Sequence, residues 1–123
     1  MATPNYAETI PGIQVMTFTF PGNYNSTVTP CKFRMPFKAE VLGVSAYVRS
    51  SSGTSPTLTI DIREGTSSIL SSAISMTADT ITEGTISDKI IDDEATVSIV
   101  FTIGGTSPQW SDITVLLTVR RAT

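Results

Sequence analysis

The sequence predicts an all-β chain: a single antiparallel β-sandwich or jelly-roll-like domain over residues 13–123, preceded by an extended N-terminal arm over residues 1–12. Three observations predict it. Apolar residues alternate with polar ones in run after run, the period of a strand with one buried face. Turn formers recur between those runs at the short, even spacing of sandwich strands. No stretch of useful length carries the 3.6-residue period of an amphipathic helix. A chain of 123 residues has the size of one domain with one core, and its 40% hydrophobic content is enough to fill that core.

The elements follow in order. Residues 1–12 contain Pro4, Pro11 and Gly12 and few apolar side chains, so they read as an arm rather than a folded element. Tyr6 and Ile10 are its candidate anchors; free fraying is the alternative. Ile13–Phe20 places Gln14, Met16, Phe18 and Phe20 on one face of a strand. Pro21–Pro30 is dense in turn formers and reads as a loop. Phe33, Met35 and Phe37 alternate with Lys32, Arg34 and Pro36, a short strand that Pro36 confines to an edge or an end. Ala39–Arg49 reads as a strand with Leu42, Val44, Ala46 and Val48 on one side. Thr57–Arg63 alternates cleanly, with Leu58, Ile60 and Ile62 inward. Glu64-Gly65 is a turn, and Ser67–Leu70 begins the return. Short extended pieces follow at Ile74–Met76, Thr85-Ile86 and Ile90-Ile91.

The C-terminal third carries the clearest alternation: Val97, Ile99, Phe101 and Ile103, then Ile113, Val115, Leu117 and Val119. A hairpin symmetric about Pro108 would set Ile103 against Ile113, Phe101 against Val115 and Ile99 against Leu117. Its outer side would pair Val100 with Leu116, an apolar pair on a threonine-rich face. Gly-Thr-Ser-Pro occurs twice, from Gly53 and from Gly105, each time before a strand. Proline fixes φ and removes a ladder donor, so both read as loops that enter strands, a shared turn chemistry rather than a duplication.

Composition narrows the function. Only 15% of residues are charged, and serine and threonine fill the gap. Such a surface suits pleated sheets and a protein packed against neighbours. The net charge is −3, and Arg120-Arg121 is the only basic pair, so no nucleic-acid footprint is present. The lone Cys31 forms no internal disulfide, which suits synthesis in a reducing cytoplasm. The N-terminus lacks a secretory pattern, and no apolar stretch approaches a membrane span.

Catalytic chemistry finds little to work with. The chain has no histidine, which removes the commonest general base, the usual triads and most zinc sites. Cys31 has no histidine partner and reads as a small, half-buried residue. Asp92-Asp93-Glu94 lacks the alternate ligand spacing of a calcium loop and reads as a solvated turn. The chain is expected to be no enzyme and to need no cofactor or metal. Trp110, the single tryptophan, either caps one end of the sandwich or anchors a partner from a loop.

The run MPFKAEVLGVSAYV, then LTIDIREGTSSIL, ATVSIVFTIGG and SDITVLLTVRR resembles a small β-sandwich module of virion structural proteins in tailed bacteriophages. The matching segments are Leu58–Ile62, Thr66–Leu70, Val97–Ile103 and Asp112–Val119, within residues 32–120. Glu64-Gly65 stands where Asn-Gly is frequent, and Asp93-Glu94-Ala95 where Gly-Asp commonly precedes the late strand. Both departures alter turns and leave the core pattern intact. The resemblance implies a capsid decoration (cement) protein, made in the host cytoplasm and resident on the outer surface of the virion head. Its implied partners are the major capsid protein and itself, as a dimer or trimer, with no nucleic acid and no membrane. The arm, through Tyr6 and Ile10, would reach the capsid, and Phe33, Met35, Val100 and Leu116 are candidates for self-association. Such modules also serve as tail or head-fibre appendages. In that reading Trp110 and Tyr24 would bind a host receptor or glycan.

Overall fold

The computed structural model describes residues 13–122. The predicted arm, with Tyr6 and Ile10, lies outside them. The described residues are all-β, in eight strands: β1 (Ile13–Tyr24), β2 (Val28–Arg34), β3 (Ala39–Glu64), β4 (Ser67–Ser68), β5 (Ile74–Ser75), β6 (Thr80–Glu83), β7 (Ile90–Ile91) and β8 (Thr96–Arg121).

Two strands organise the rest. β3 and β8 pair antiparallel along their whole length, from Ala39 opposite Arg121 to Glu64 opposite Val97. β1 and then β2 follow the other side of β8, from Ile13 opposite Arg120 to Arg34 opposite Thr96. This three-stranded ribbon folds over at its middle, at residues 25–27, 50–56 and 104–109. One layer then runs β1, the second half of β8, the first half of β3, and β6 with β7. The other runs β2, the first half of β8, the second half of β3, and β4 with β5. Two four-stranded layers in these orders make a jelly roll. The layers meet through Phe18 stacked on Phe33 at 5.3 Å and Phe20 edge-on to Phe101 at 5.1 Å.

The core is what the alternation supplies. Leu58, Ile60, Ile62, Val97, Ile99 and Phe101 line one layer, and Val44, Ala46, Val48, Ile113, Val115 and Leu117 the other, all buried. Ile69, Leu70, Ile74 and Ile91 plug the side where the short strands turn back. There the backbone closes through Leu70 opposite Ile86 and Ser71 N–H to Thr85 C=O at 2.9 Å.

Four expectations need correction. The C-terminal runs are not a hairpin. They are successive halves of β8, and each pairs with β3: Ile99 with Ile62, Phe101 with Ile60, Ile113 with Val48 and Leu117 with Val44. Identical alternation on both halves fixes which face is buried but not which strand lies alongside. Secondly, Pro21–Pro30 is mostly strand. β1 runs on to Tyr24 through a bulge between Phe20 and Asn23, where Gly22 takes φ +91°. Thirdly, a bulge between Val41 and Gly43 reverses the phase at the start of β3. Val41 is buried as a result, and Leu42 is 40% exposed. Finally, the two Gly-Thr-Ser-Pro stretches do not open strands. They form the bends of β3 and β8 and lie against each other, with Thr54 opposite Thr106. Their geometry is reciprocal: Gly53 and Gly105 have φ +109° and +108°, and Ser55 and Ser107 both have φ +48°.

Candidate interaction surfaces

Among the described residues, no group of three or more acidic or cysteine side chains is placed to hold a metal ion. Asp92, Asp93 and Glu94 are exposed on a turn in which Asp92 N–H donates to Glu64 Oε2 at 2.8 Å. Burial raises the Cys31 thiol above its ordinary pKa, which favours its protonated form. The surface depressions are open. One, about 270 Å³, is lined by Leu42–Ser45, Glu83, Gly84, Ile86 and Thr118.

The sequence candidates separate. Trp110 is no loop anchor: it lies within β8, opposite Tyr24 and Ser51, with 3% of its surface exposed. Its ring is spent on the core at the bend and presents no platform for a sugar. Tyr24 packs edge-on to Phe101 at 5.4 Å. Met35 is fully buried, its N–H donating to Ala95 C=O and its C=O accepting from Glu94 N–H, so it offers no surface. The strand ends at Arg34, and the chain turns Met35 under the layers. Val100 and Leu116 do not pair: Val100 lies opposite Asp61, and Leu116 between Thr17 and Ser45, on different layers. Phe33 is half-buried beneath Phe18.

What remains is a contrast between the two outer faces. The face over β2 and β3 is charged, with Lys32, Arg34, Asp61 and Arg63, the last two in contact at 3.1 Å. The face over β1 and β8 is uncharged on its β1 side, and the exposed carboxylates Asp79 and Glu83 lie on its β6 side. Adjacent rows set Ile81, Tyr47, Thr114 and Thr19 side by side, then Glu83, Ser45, Leu116 and Thr17, then Thr118 and Val15. Ile81 is 71% exposed and Val15 52%. At the ends, ionic groups pair internally: Arg120 with Glu40, and Arg49 with Asp112 at 2.6 Å. A threonine-rich, charge-poor sheet face with exposed apolar side chains is a candidate contact surface. Leu116 was legible as part of it; Ile81, Tyr47 and Val15 were not, because their adjacency depends on β6 and β1 flanking one layer.

Asp112 ties this face together. It sits at φ +58° and accepts the Gly22 N–H at 2.8 Å and the Arg49 Nε–H at 2.6 Å. The backbone hydrogen bond first, and the guanidinium second, hold its carboxyl below the ordinary value. A lowered folded-state pKa means that the unfolded chain takes up the proton first. The contribution is therefore complete above the unfolded value, about pH 4, and is lost as pH falls through the folded one. Asp112→Asn is expected to flatten the acid-side loss of stability while lowering stability at neutral pH. Urea midpoints followed from neutral to strongly acidic pH check this.

The sequence matches no protein-family model and no curated protein. Solved structures do match. The chain is similar to VP2 of the infectious bursal disease virus subviral particle, with TM-score 0.60 and 12% identity over 90% of this chain and 33% of that one. It is likewise similar to a chain of infectious bursal virus derived T=1 particles, with TM-score 0.56 and 14% identity over 90% of this chain and 32% of that one. The chain thus spans about a third of the length of these two chains. A chain of the cyanophage Pam1 capsid asymmetric unit matches at TM-score 0.59 and 18% identity, over 99% of this chain and 93% of that one. The shared feature is the fold.

Proposed function

We propose that this chain is a virion structural protein, a capsid decoration (cement) protein of a tailed phage. It binds the outer head surface and stabilises contacts between capsomers. The observation that carries this reading is the likeness to a chain of nearly the same length in the asymmetric unit of a phage capsid. The charge-poor, threonine-rich face agrees with it, since a cement protein acts through buried area rather than chemistry. Each copy would cover a joint between capsomers, and many copies would multiply a modest affinity. Residues 1–12, with Tyr6 and Ile10, are the proposed capsid-binding element, and the major capsid protein is the proposed partner. The burial of Trp110 removes the main support for a glycan-binding appendage.

The test is direct. The purified protein is incubated with heads that lack it, and co-sedimentation and head melting are measured together. Saturable binding that raises the head's melting temperature is expected, and removal of residues 1–12 is expected to abolish binding without unfolding the domain. Absence of binding would sink the cement reading in favour of a tail or head-fibre appendage.

A further inference from the structure

β1 lies at the edge of its layer. β8 covers one side of it, and no strand among the described residues covers the other. An open edge offers a row of unpaired N–H and C=O groups, and proteins usually shorten, charge or break such strands. The other edges here are treated in that way. β4, β5 and β7 are two residues long, β6 is four, and β2 carries Pro30, Lys32 and Arg34. β1 has no such device from Ile13 to Phe20: no charge, no proline, and β-branched residues at 13, 15, 17 and 19.

A second observation is independent of the backbone. The side chains under this edge are apolar and incompletely covered. Met16 and Phe18 point toward the interior yet are only half-buried, as is Phe33 beneath Phe18. The seam between β1 and β2 is therefore open both to hydrogen bonding and to apolar contact.

We propose that β1 pairs antiparallel with β1 of a second copy across a two-fold axis at Thr17, joining two layers into one continuous sheet. The register follows from the pleat. Interior faces meet interior faces only when the two paired residue numbers have an even sum. Centring on Thr17 sets Met16 opposite Phe18 of the partner subunit, Gln14 opposite Phe20 of the partner subunit, and Thr17 opposite itself. It also uses the uncharged run from Gln14 to Phe20. Self-complementarity argues for a second copy as the occupant, since half-buried Met16 and Phe18 would meet across the axis, and charge does not oppose it. A chain of net charge −3 repels itself through an acidic face but not through this one. The nearest ionic groups, Arg120 beside Ile13 and Asp112 beside Gly22, are already satisfied within the chain. A two-fold contact also closes at two copies, so it does not propagate into a fibre. This pairing stands whether or not the chain binds a head.

The test uses the full chain. Sedimentation velocity over a wide concentration range is expected to show a monomer–dimer equilibrium. Thr17→Lys is expected to raise the dimer dissociation constant about fivefold or more, by setting like charges opposite each other, while leaving the domain folded. Thr17→Cys, with Cys31→Ser, is expected to give a disulfide-linked dimer under mild oxidation, because directly opposite residues have the spacing that a disulfide needs. A monomer at every concentration, or a trimer, would overturn the proposal. So would a dimer indifferent to Thr17→Lys but lost on removal of residues 1–12, which would make that segment the occupant of the edge.

Discussion

Gly53→Ala and Gly105→Ala are each expected to destabilise the domain by about 2–5 kcal/mol, enough to lose much of the stability of a typical domain. The two bends cross so tightly that each glycine lies against the other's backbone. A Cβ on Gly53 would meet the Ser107 carbonyl oxygen at 2.5 Å, and one on Gly105 the Ser55 carbonyl oxygen at 2.6 Å. Neither atom belongs to a flexible side chain, so relief requires the ribbon itself to open. Both positions also need positive φ, which adds about 1–2 kcal/mol for a residue with a Cβ. Gly22 separates the two effects. It has φ +91° but open space around its Cβ position, so Gly22→Ala is expected to carry the conformational penalty alone. Because the glycines share one crossing, the double substitution is expected to fall short of the sum of the singles. Urea unfolding of the four variants checks the order. Equal, small losses at all three glycines would refute the clash.

The repeated Gly-Thr-Ser-Pro thus had a structural meaning that the sequence could not display. Its turn chemistry was legible from glycine and proline. That the two copies meet, Thr54 against Thr106, depends on β3 and β8 being one long antiparallel pair. The same limit explains the other differences. Thr57–Arg63 and Val97–Ile103 were readable because each has one buried face, and burial writes a period of two into the chain. Their partners were not readable, since Ile99 could equally have faced Leu117 or Ile62 on pattern alone. At the start of β3, Val41 and Leu42 are both apolar, so either phase fits; the bulge at Gly43 decides. Phe33, Met35 and Phe37 share an alternation, yet Met35 alone is wholly buried, because the strand has already ended at Arg34. As for the surface, β1 was legible as a strand with one apolar face. Its place at an open edge is a property of topology, set by residues a hundred positions away.

Phe101→Ala is the other large effect, expected at about 3–5 kcal/mol. Phe101 is fully buried where three elements converge: Ile60 lies opposite it on β3, Val28 opposite it on β2, and the Phe20 and Tyr24 rings of β1 meet its edge or face at 5.1 and 5.4 Å. Truncation leaves a cavity and removes two aromatic pairs at once, each worth about 0.5–1.5 kcal/mol beyond area. Ile60→Ala removes comparable aliphatic burial without the ring contacts and is expected to be milder. The neighbouring Val100→Ala, on the outer face, is expected to change stability by about 0.5 kcal/mol or less. The location of the loss matters as much as its size. Both rings that lean on Phe101 belong to β1, whose partner strand on the described chain is β8 alone. Amide hydrogen exchange in Phe101→Ala is therefore expected to rise first along Ile13–Tyr24 rather than along β3. A uniform rise across all strands would show instead that β1 unfolds only with the whole domain. Selective loosening of β1 would also weaken the proposed two-fold pairing, because an edge strand can be extended by a second copy only while its own layer holds it flat.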